Sequence, residues 1–369
     1  MKIAMLQTPM FPLDPACCGG VERVELCELE HLNKLGYEVK LYVPELIGNN
    51  EDIIAIKDLN WKNRLLKFYY YLNFGFKTRR FDLYHGHYTP ILALLYPDKS
   101  VIHYHGQAVF MLPKYGMFKK RYHKAHYMFN SKSTMKAFVG AYPDVPQEHL
   151  HLLYNAVDTD QFMPAQRGNR PDLSGQVSMA KICFCGRWTE EKGIFVLLEA
   201  IKFLEQKRKD FKLYLIGSAH IPVKTEKSEL IEKKVKETAG KLSTVEITGP
   251  VEHEKLPDLY QQMDIGVVPS VWEEPFGLVI LEMMASGLPV IASRVGAIPE
   301  IMEDNVNGLL VEPNKPEALA QRMELLLNDR MLRLKLDQAA RKHVERKFTW
   351  EKHLEELLKV YGKVTENNE

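Results

Sequence analysis

Short apolar runs alternate with stretches in which apolar residues recur every three or four positions, along almost the whole chain. In the first half, Val21, Val24, Leu29, Leu32 and Leu35 follow the helical period, which predicts a helix that ends before Gly36. The apolar runs predict strands at residues 2–7, 38–43, 83–85, 101–104, 127–129 and 151–153. This strand–helix–strand order predicts a parallel sheet with right-handed crossovers.

The same order resumes in the second half of the chain. Strands are predicted at residues 182–184, 212–216, 245–248, 265–268 and 290–292, and helices at 195–204, 276–285 and 350–364. Between the halves, residues 164–180 are polar, carry Pro and Gly and have no sustained period, which predicts a linker. We therefore expect two doubly wound α/β domains, 1–163 and 181–348. Such sheets bind ligands at the carboxyl ends of their strands, so we expect the site in a cleft between the domains.

Composition excludes several classes of protein. Of 369 residues, 46% are hydrophobic and 26% are charged, which is the usual globular mix and excludes general disorder. The net charge of +1 argues against a dedicated nucleic-acid binder. The five cysteines contain no C-x-x-C pair, so neither a disulfide framework nor a cysteine zinc site is expected. No apolar run reaches the ~18 residues of a membrane span, and the N-terminus predicts a strand rather than a signal peptide, so we expect a cytoplasmic protein.

The segment EPFGLVILE contains the most informative chemistry. Pro275 suits the first position of a helix and Gly287 suits its end, which predicts a helix that begins near Phe276. Its free N–H groups and the positive end of the helix dipole would bind an anion, and phosphate is the natural occupant. Glu274 and Glu282 can accept hydrogen bonds from sugar or ribose hydroxyls. The alternative is a capped amphipathic helix with two surface acids.

Two other loops have features of phosphate sites. Arg187 follows the first strand of the second domain and Lys192 opens the next helix, so a guanidinium and an ammonium could clamp a diphosphate, unless both are simply solvated. Gly19 and Gly20 precede the first long helix and would let an anion approach the backbone, or form an ordinary turn. The fingerprints G-x-G-x-x-G and G-x-x-x-x-G-K-[ST] are both absent.

Histidines cluster near the ends of two predicted strands. His85 and His87 lie on one, and alternation places His103 and His105 on the same side of the next. No acid cluster accompanies them in the sequence, so we predict no metal site. We expect instead that His105 donates or accepts a hydrogen bond at a substrate hydroxyl.

Taken together, these motifs resemble the retaining glycosyltransferases of family 4. The resemblance rests on E-x7-E from Glu274 to Glu282 and on the segments ASGLPVIAS, GAIPE, NGLLV, GRW-x-x-EKG, NAVD and GGVE in the expected order. It implies an α/β fold of the GT-B type, with two Rossmann-like, doubly wound parallel-sheet domains facing a central cleft. It also implies that the C-terminal helix, residues 349–369, packs back onto the first domain.

The resemblance further implies a role for each matching residue. His105, Glu274, Arg187 and Lys192 would be catalytic: His105 and Glu274 would contact the donor sugar, and the two cations would hold the diphosphate. Glu282 would bind the ribose. Gly20 would approach phosphate or acceptor from the first domain. The backbone N–H groups at Phe276, Gly277, Leu278 and Val279 would assist in holding the diphosphate. The resemblance implies a reaction without a metal or cofactor, in which the nucleotide sugar, with a UDP-sugar favoured, is a substrate.

The hypothesis is a retaining, metal-independent hexosyltransferase. It would move a hexose or N-acetylhexosamine from a nucleotide-diphosphate sugar to a hydroxyl of a glycan, lipid-linked or cell-envelope acceptor. Two departures bear on it: Gly217 is a lone glycine where relatives often have a Gly-rich turn, and Gly106 stands where some carry an acid, so no carboxylate base is assigned. The alternatives are a nucleotide-sugar epimerase and a non-catalytic sugar-binding protein.

One region departs from overall neutrality. Residues 57–136 contain fifteen Lys and Arg against three Asp, a local charge of +12, interleaved with aromatics. The sequence leaves two interpretations open: a solvated basic face over an aromatic core, or a surface that docks on an anionic membrane or a phosphate-bearing acceptor. A peripheral location on the inner face of the cytoplasmic membrane would follow from the second. Nucleic acid is not expected as a partner.

Overall fold

The computed structural model of the chain describes residues 1–7, 13, 19–56, 71, 73–75, 77–78, 80–106, 120–165, 179–220 and 224–366. Much of the basic region, residues 57–70 and 107–119, lies outside this description, as does most of the predicted linker 164–180. The membrane or acceptor surface therefore stays a prediction. One described member of the region, Arg121, donates through Nε to the carbonyl of Leu94 at 2.7 Å.

The chain forms two compact units. The first comprises Met1–Asn155 and Glu351–Glu369, and the second comprises Ala156–Trp350. Each has its own parallel sheet, as the alternation of strands and helices predicts. Among the described residues, no helix combines the length and apolar character needed to cross a membrane.

In the first unit, seven described strands form a parallel sheet in the order β3-β2-β1-β4-β5-β6-β7. The strands are β1 (Lys2–Gln7), β2 (Glu38–Val43), β3 (Ile53–Ala55), β4 (Leu83–His87), β5 (Ser100–Tyr104), β6 (His126–Phe129) and β7 (Leu150–Leu152). Helices with described bounds in this unit include α1 (Gly20–Lys34), α2 (Leu92–Leu95) and α3 (Lys132–Ala141). Lys2 of β1 pairs with Glu38 of β2, and Ile3 pairs with Leu83 of β4.

In the second unit, six described strands form a parallel sheet in the order β10-β9-β8-β11-β12-β13. The strands are β8 (Ala180–Cys185), β9 (Phe211–Ile216), β10 (Val245–Gly249), β11 (Ile265–Val268), β12 (Val290–Ser293) and β13 (Leu309–Val311). The helices are α4 (Ile194–Glu205), α5 (Glu226–Ala239), α6 (Leu256–Tyr260), α7 (Leu278–Ala285), α8 (Ile298–Ile301), α9 (Pro316–Asn328) and α10 (Arg330–Lys347). The last helix, α11 (Trp350–Glu366), belongs mainly to the first unit.

Alternation along the strands builds the core of the first unit on both faces of its sheet. Ile3 and Met5 of β1 pack on one face with residues of α1 and α11, including Leu32 and Leu357. Ala4 and Leu6 pack on the opposite face, in an aromatic cluster that continues into α3. Successive side chains of a strand point to opposite faces, so a strand with both faces covered reads as an unbroken apolar run.

Two strands of the structure are not predicted from the sequence. The strands β3 and β13 have three residues each, Ile53–Ala55 and Leu309–Val311. A three-residue run is too short to show a period, and both pair at the outer edge of a sheet. The predicted strand 83–85 is also longer than expected, since β4 continues to His87.

A buried histidine pair joins β6 to the edge strand β7 of the first unit. His126 Nδ1 on β6 lies 2.8 Å from His151 Nε2 on β7, and the His149 ring is 4.4 Å from that of His126. Burial lowers the pKa of His126 to about 3, with smaller contributions from His149, His151 and Lys363. Burial also lowers the pKa of His151 to about 4, followed by the effects of Lys363 and His149. Both rings are therefore neutral in the folded protein above about pH 4.

We predict that this pair makes the protein less stable in mild acid. The unfolded chain protonates these histidines near pH 6.5, whereas the folded chain does so near pH 3–4, so stability falls as the pH is lowered from about 6.5 to 4. In His151→Gln, the urea midpoint, followed by circular dichroism, should depend less on pH in that window. Between pH 7 and 8 the two proteins should show the same dependence. An unchanged dependence below pH 6.5 would contradict the prediction.

Candidate functional site

Four loops meet at the carboxyl edge of the second sheet. They follow β8, β9, β11 and β12, and backbone hydrogen bonds tie them together. Trp188 N donates to Ser218 O at 3.0 Å, and Val271 N donates to Glu191 O at 2.9 Å. The strand order reverses between β8 and β11, and in doubly wound sheets the ligand binds at that reversal. The candidate site is therefore this edge.

The predicted residues Lys192 and Glu274 form an ion pair there. Lys192 Nζ lies 2.8 and 2.7 Å from the two carboxylate oxygens of Glu274. Ser270 Oγ and Trp272 Nε1 also donate to Oε2 of this carboxylate, at 2.9 and 3.1 Å. The Glu274 side chain is 5% exposed, whereas that of Lys192 is 24% exposed. The carboxylate is thus held rigidly in one place, while the ammonium remains accessible.

Two glycines allow the loops to close around this pair. Gly193 has φ +72°, and a Cβ there would lie 1.9 Å from Pro269 O. Gly296 has φ +53°, and a Cβ there would lie 2.2 Å from Glu274 O. Ala297 N donates to the same Glu274 carbonyl at 2.9 Å. Glycine is therefore required at Gly193 of the EKG segment and at Gly296 of the GAIPE segment, because a neighbouring backbone carbonyl occupies the place of a Cβ.

The helix of the E-x7-E segment begins later than predicted. The expectation that Pro275 occupies its first position is wrong: α7 begins at Leu278, and Gly277 precedes it with φ +100°. A left-handed residue cannot continue a right-handed helix, so Phe276 stays outside, buried at 2% exposure. The backbone N–H groups of Leu278 and Val279 lie in the first turn, where N–H groups have no partner within the helix. An anion site at this turn would thus have fewer helical N–H groups than predicted, because Phe276 and Gly277 precede the helix.

The structure gives Glu282 an unpredicted partner. His253 Nε2 lies 2.9 Å from Glu282 Oε1, and the ring of Phe162 is 5.2 Å from that of His253. Glu282 is 6% exposed. Trp272 is not among the predicted site residues, although it lies only two positions before Glu274. No spacing in the sequence connects His253 to the E-x7-E segment, because only the folded sheet brings them together.

Arg187 is exposed on the same edge of the sheet. It follows Gly186 in the loop after β8, and its guanidinium forms no ion pair with the described residues. The second unit therefore contains Arg187, Lys192, Glu274, Phe276, Gly277, Leu278, Val279 and Glu282. The structure brings Lys192 and Glu274 into direct contact, and their roles toward a ligand stay predictions.

The two remaining predicted residues lie in the first unit. Gly20 begins α1, directly after Gly19, whereas residues 14–18 lie outside the described part of the chain. His105 follows β5, is 5% exposed, and places Nε2 2.8 Å from His87 Nδ1. Its partner in the structure is thus another histidine.

The sequence shows no acid cluster near the histidines, but the structure brings one acid among them. Glu28 of α1 is buried beside His85, His87 and His103. The sequence hides this proximity because α1 precedes β4 by many residues and meets the strand only after the chain has crossed over the sheet.

Two family profiles match the chain. The profile "Glycosyltransferase Family 4" matches residues 18–161, and "Glycosyl transferases group 1" matches residues 170–343. The chain belongs to the group 1 glycosyltransferases of family 4. The resemblance seen in the motifs is therefore confirmed.

Relatives differ in how much of their length is matched. An uncharacterized glycosyltransferase of Methanocaldococcus jannaschii is 28% identical over 94% of this chain and 93% of its own. Another uncharacterized glycosyltransferase of that organism is 32% identical over an alignment that covers 62% of this chain and 57% of the relative. The lipopolysaccharide 1,2-N-acetylglucosaminetransferase of Salmonella typhimurium is 32% identical over 50% of each chain. For several of these curated relatives, the match thus spans about half of their length.

Solved structures show the same fold. A glycosyltransferase from Rickettsia africae superimposes with a TM-score of 0.77 at 22% identity, covering 98% of each chain. HepE from Anabaena, in complex with UDP and glucose, has a TM-score of 0.71 at 17% identity and also covers 98% of each chain. The fold is GT-B, with two Rossmann-like parallel-sheet domains, as predicted.

We predict that Gly193→Ala destabilises the second unit. The left-handed backbone and the approach to Pro269 O both oppose a Cβ, so the free energy of unfolding should fall by about 1–3 kcal/mol. Urea unfolding followed by fluorescence measures this change. Gly140→Ala is the matched control: Gly140 lies in α3, where an added Cβ would meet no described atom within 4 Å, so alanine should stabilise by about 0.5–1 kcal/mol. Equal effects of the two substitutions would contradict the prediction.

We also predict strong coupling between Lys192 and Glu274. A double-mutant cycle with Lys192→Met and Glu274→Gln should give a coupling of about 1–3 kcal/mol in the free energy of unfolding, because the carboxylate is buried. The exposed pair Lys202 and Glu199 provides the control cycle, with about 0–0.5 kcal/mol expected. A coupling at Lys192 no larger than that of the control would show that the pair is effectively solvated.

Proposed function

We propose that the protein is a retaining glycosyltransferase. It transfers a hexose or N-acetylhexosamine from a nucleotide-diphosphate sugar, with a UDP-sugar favoured, to a hydroxyl of a glycan, lipid-linked or cell-envelope acceptor. The observation that carries the proposal is the buried Glu274 carboxylate, fixed by Lys192, Ser270 and Trp272 at the carboxyl edge of the second sheet.

The fixed carboxylate suits recognition of a sugar. Glu274 has two oxygens in a site of low exposure, and such oxygens accept hydrogen bonds from sugar hydroxyls. The donors that already hold Glu274 prevent the side chain from turning away, so little entropy is lost when a sugar binds. Glu282, oriented by His253, offers a second carboxylate for the ribose of the donor.

The cations suit the leaving diphosphate. Arg187 is exposed and Lys192 is partly exposed, so both can contact phosphate oxygens. Lys192 can do so while it keeps Glu274, because its ammonium has three N–H groups and Glu274 accepts two of them. The N–H groups of Leu278 and Val279 add the positive end of α7. Together they would stabilise the negative charge that develops on the departing phosphate, which supports a reaction without a metal at this edge.

In the proposed reaction, the bond between the anomeric carbon and the phosphate oxygen breaks. A new bond forms between that carbon and the acceptor oxygen, on the same face of the sugar. The acceptor proton moves to the departing phosphate, which leaves as the nucleoside diphosphate. This balance needs no enzyme nucleophile, and the cations act by stabilising the phosphate.

Similar proteins support the choice of substrates. HepE of Anabaena is described in complex with UDP, with UDP-glucose, and with UDP and glucose. The Salmonella relative is named as a lipopolysaccharide 1,2-N-acetylglucosaminetransferase, and WaaG is described as involved in lipopolysaccharide biosynthesis. We extend these properties to this chain as part of the proposal.

A panel of UDP-, GDP- and ADP-sugars tests the proposed function. Binding should raise the thermal midpoint with one nucleotide class, because a ligand that binds the native state stabilises it. With a hydroxyl acceptor, the matching donor should yield nucleoside diphosphate and a glycoside with retained anomeric configuration, read by NMR. An epimerised donor would favour the epimerase, and no shift with any donor would argue against both enzymes.

We predict that Glu274→Gln lowers turnover by about 100-fold or more. The substitution keeps the shape of the side chain but weakens acceptance from sugar hydroxyls and removes the partner charge of Lys192. Product formation with the matching donor measures the loss. Glu273→Gln is the matched control, because Glu273 is the exposed neighbour, and its turnover should stay near that of the wild type. Wild-type turnover in Glu274→Gln would refute the role of Glu274.

A further inference from the structure

A buried group of polar side chains lies in the first unit, whereas Arg187, Lys192, Glu274 and Glu282 of the proposed transfer reaction belong to the second. Glu28 of α1, His85 and His87 of β4, and His103 of β5 each place one potential ligand atom within 4.8 Å of all the others. The side chains of Glu28 and of these three histidines are 0% exposed.

The separations within the group are too long for hydrogen bonds. Glu28 Oε2 lies 3.4 Å from His85 Nδ1 and 3.5 Å from His87 Nε2. Glu28 Oε1 lies 3.6 Å from His103 Nδ1. Hydrogen bonds of this kind span about 2.7–3.2 Å. Two ligands at about 2.0–2.1 Å from a tetrahedral zinc ion lie about 3.3–3.4 Å apart, which is close to the observed spacing.

Several atoms of the group are buried without a hydrogen-bond partner. They are Glu28 Oε2, His85 Nε2 and both ring nitrogens of His103. An unsatisfied polar group buried away from water destabilises the folded chain, and a charged one destabilises it more. A cation bound beside the carboxylate would satisfy Glu28 Oε2 and also His103 Nδ1, the ring nitrogen that faces Glu28.

Neighbouring groups orient the side chains from outside. His353 Nε2 lies 3.0 Å from Glu28 Oε1, while its Nδ1 lies 2.7 Å from the Tyr154 carbonyl. His105 Nε2 lies 2.8 Å from His87 Nδ1, whereas His87 Nε2 faces Glu28. Metal-binding imidazoles commonly have such a partner on the second ring nitrogen, because it fixes the tautomer and the ring orientation. The Tyr361 hydroxyl lies 2.8 Å from His85 Nδ1, the nitrogen that faces Glu28, so an ion bound there would displace this hydroxyl.

We propose that Glu28, His85, His87 and His103 bind one divalent transition-metal ion, Zn²⁺ before others. Three imidazoles and one carboxylate match the preferences of Zn²⁺, and four protein ligands without exposure form a closed, structural site. The ion would join α1 to β4 and β5 inside the first unit. It has no part in the proposed transfer reaction, so the two proposals stand independently.

Metal analysis of the tag-free full-length chain tests this site. The protein is expressed with added ZnCl₂, and weakly bound metal is removed. Elemental analysis by mass spectrometry should then find about one zinc ion per chain. X-ray absorption at the zinc edge should show a shell of nitrogen and oxygen without sulfur, with imidazole scattering. Less than a tenth of a zinc per chain, both as purified and after incubation of chelator-treated protein with ZnCl₂, would overturn the proposal. The group would then be an ion-pair network around Glu28.

Variants locate the ion. Glu28→Gln and His103→Gln should each weaken zinc binding at least about tenfold, measured against a chromophoric chelator. His151→Gln is the matched control, because His151 is a buried histidine of the same unit that contacts His126 without a carboxylate. Wild-type affinity in a folded Glu28→Gln would overturn the site. If both ligand variants fail to fold, Co²⁺ substitution in the wild type decides: tetrahedral absorption bands support the site, and their absence overturns it.

Discussion

Burial of both faces of the central strands of each sheet constrains most of the chemistry of this protein. The strands β1 and β8 are apolar on both sides, so a polar side chain on a central strand loses its hydration. Reactive groups therefore gather where strands end, and in a parallel sheet all carboxyl ends lie at one edge. The contacts of Lys192 with Glu274 and the close approach of Gly193 to Pro269 arise at that edge.

The group around Glu28 is an exception to this constraint. Its histidines lie within strands, where apolar residues are expected. His85 and His87 have hydrogen-bond partners in Tyr361 and His105, whereas both ring nitrogens of His103 are buried without one. Polar residues in such a place cost stability unless they are satisfied together. In the second unit, the residues proposed to bind the nucleotide sugar lie at the edge of the sheet. In the first unit, the polar group around Glu28 lies in the interior.

Local motifs account for what the sequence could predict. The E-x7-E segment and the loop of Lys192 each combine strand end, glycine and charge within a few residues, so their place at a strand end could be inferred from spacing. The first residue of α7 could not be inferred in this way, because the left-handed conformation of Gly277 depends on how the loop packs. The contacts of His253 and Glu28 escape prediction for a different reason: their partners lie far away in sequence, and only tertiary contacts bring them together.

The helix α11 has a consequence for the order in which the chain folds. This helix follows the whole second unit along the chain, and it supplies Leu357 and Tyr361 to the core of the first unit and His353 to Glu28. The first unit therefore lacks one layer of its core throughout synthesis of the second. Until α11 has left the ribosome, the core cluster that contains Leu29 and Met5 lacks Leu357 and Tyr361, so it is more accessible to chaperones and more prone to misfold.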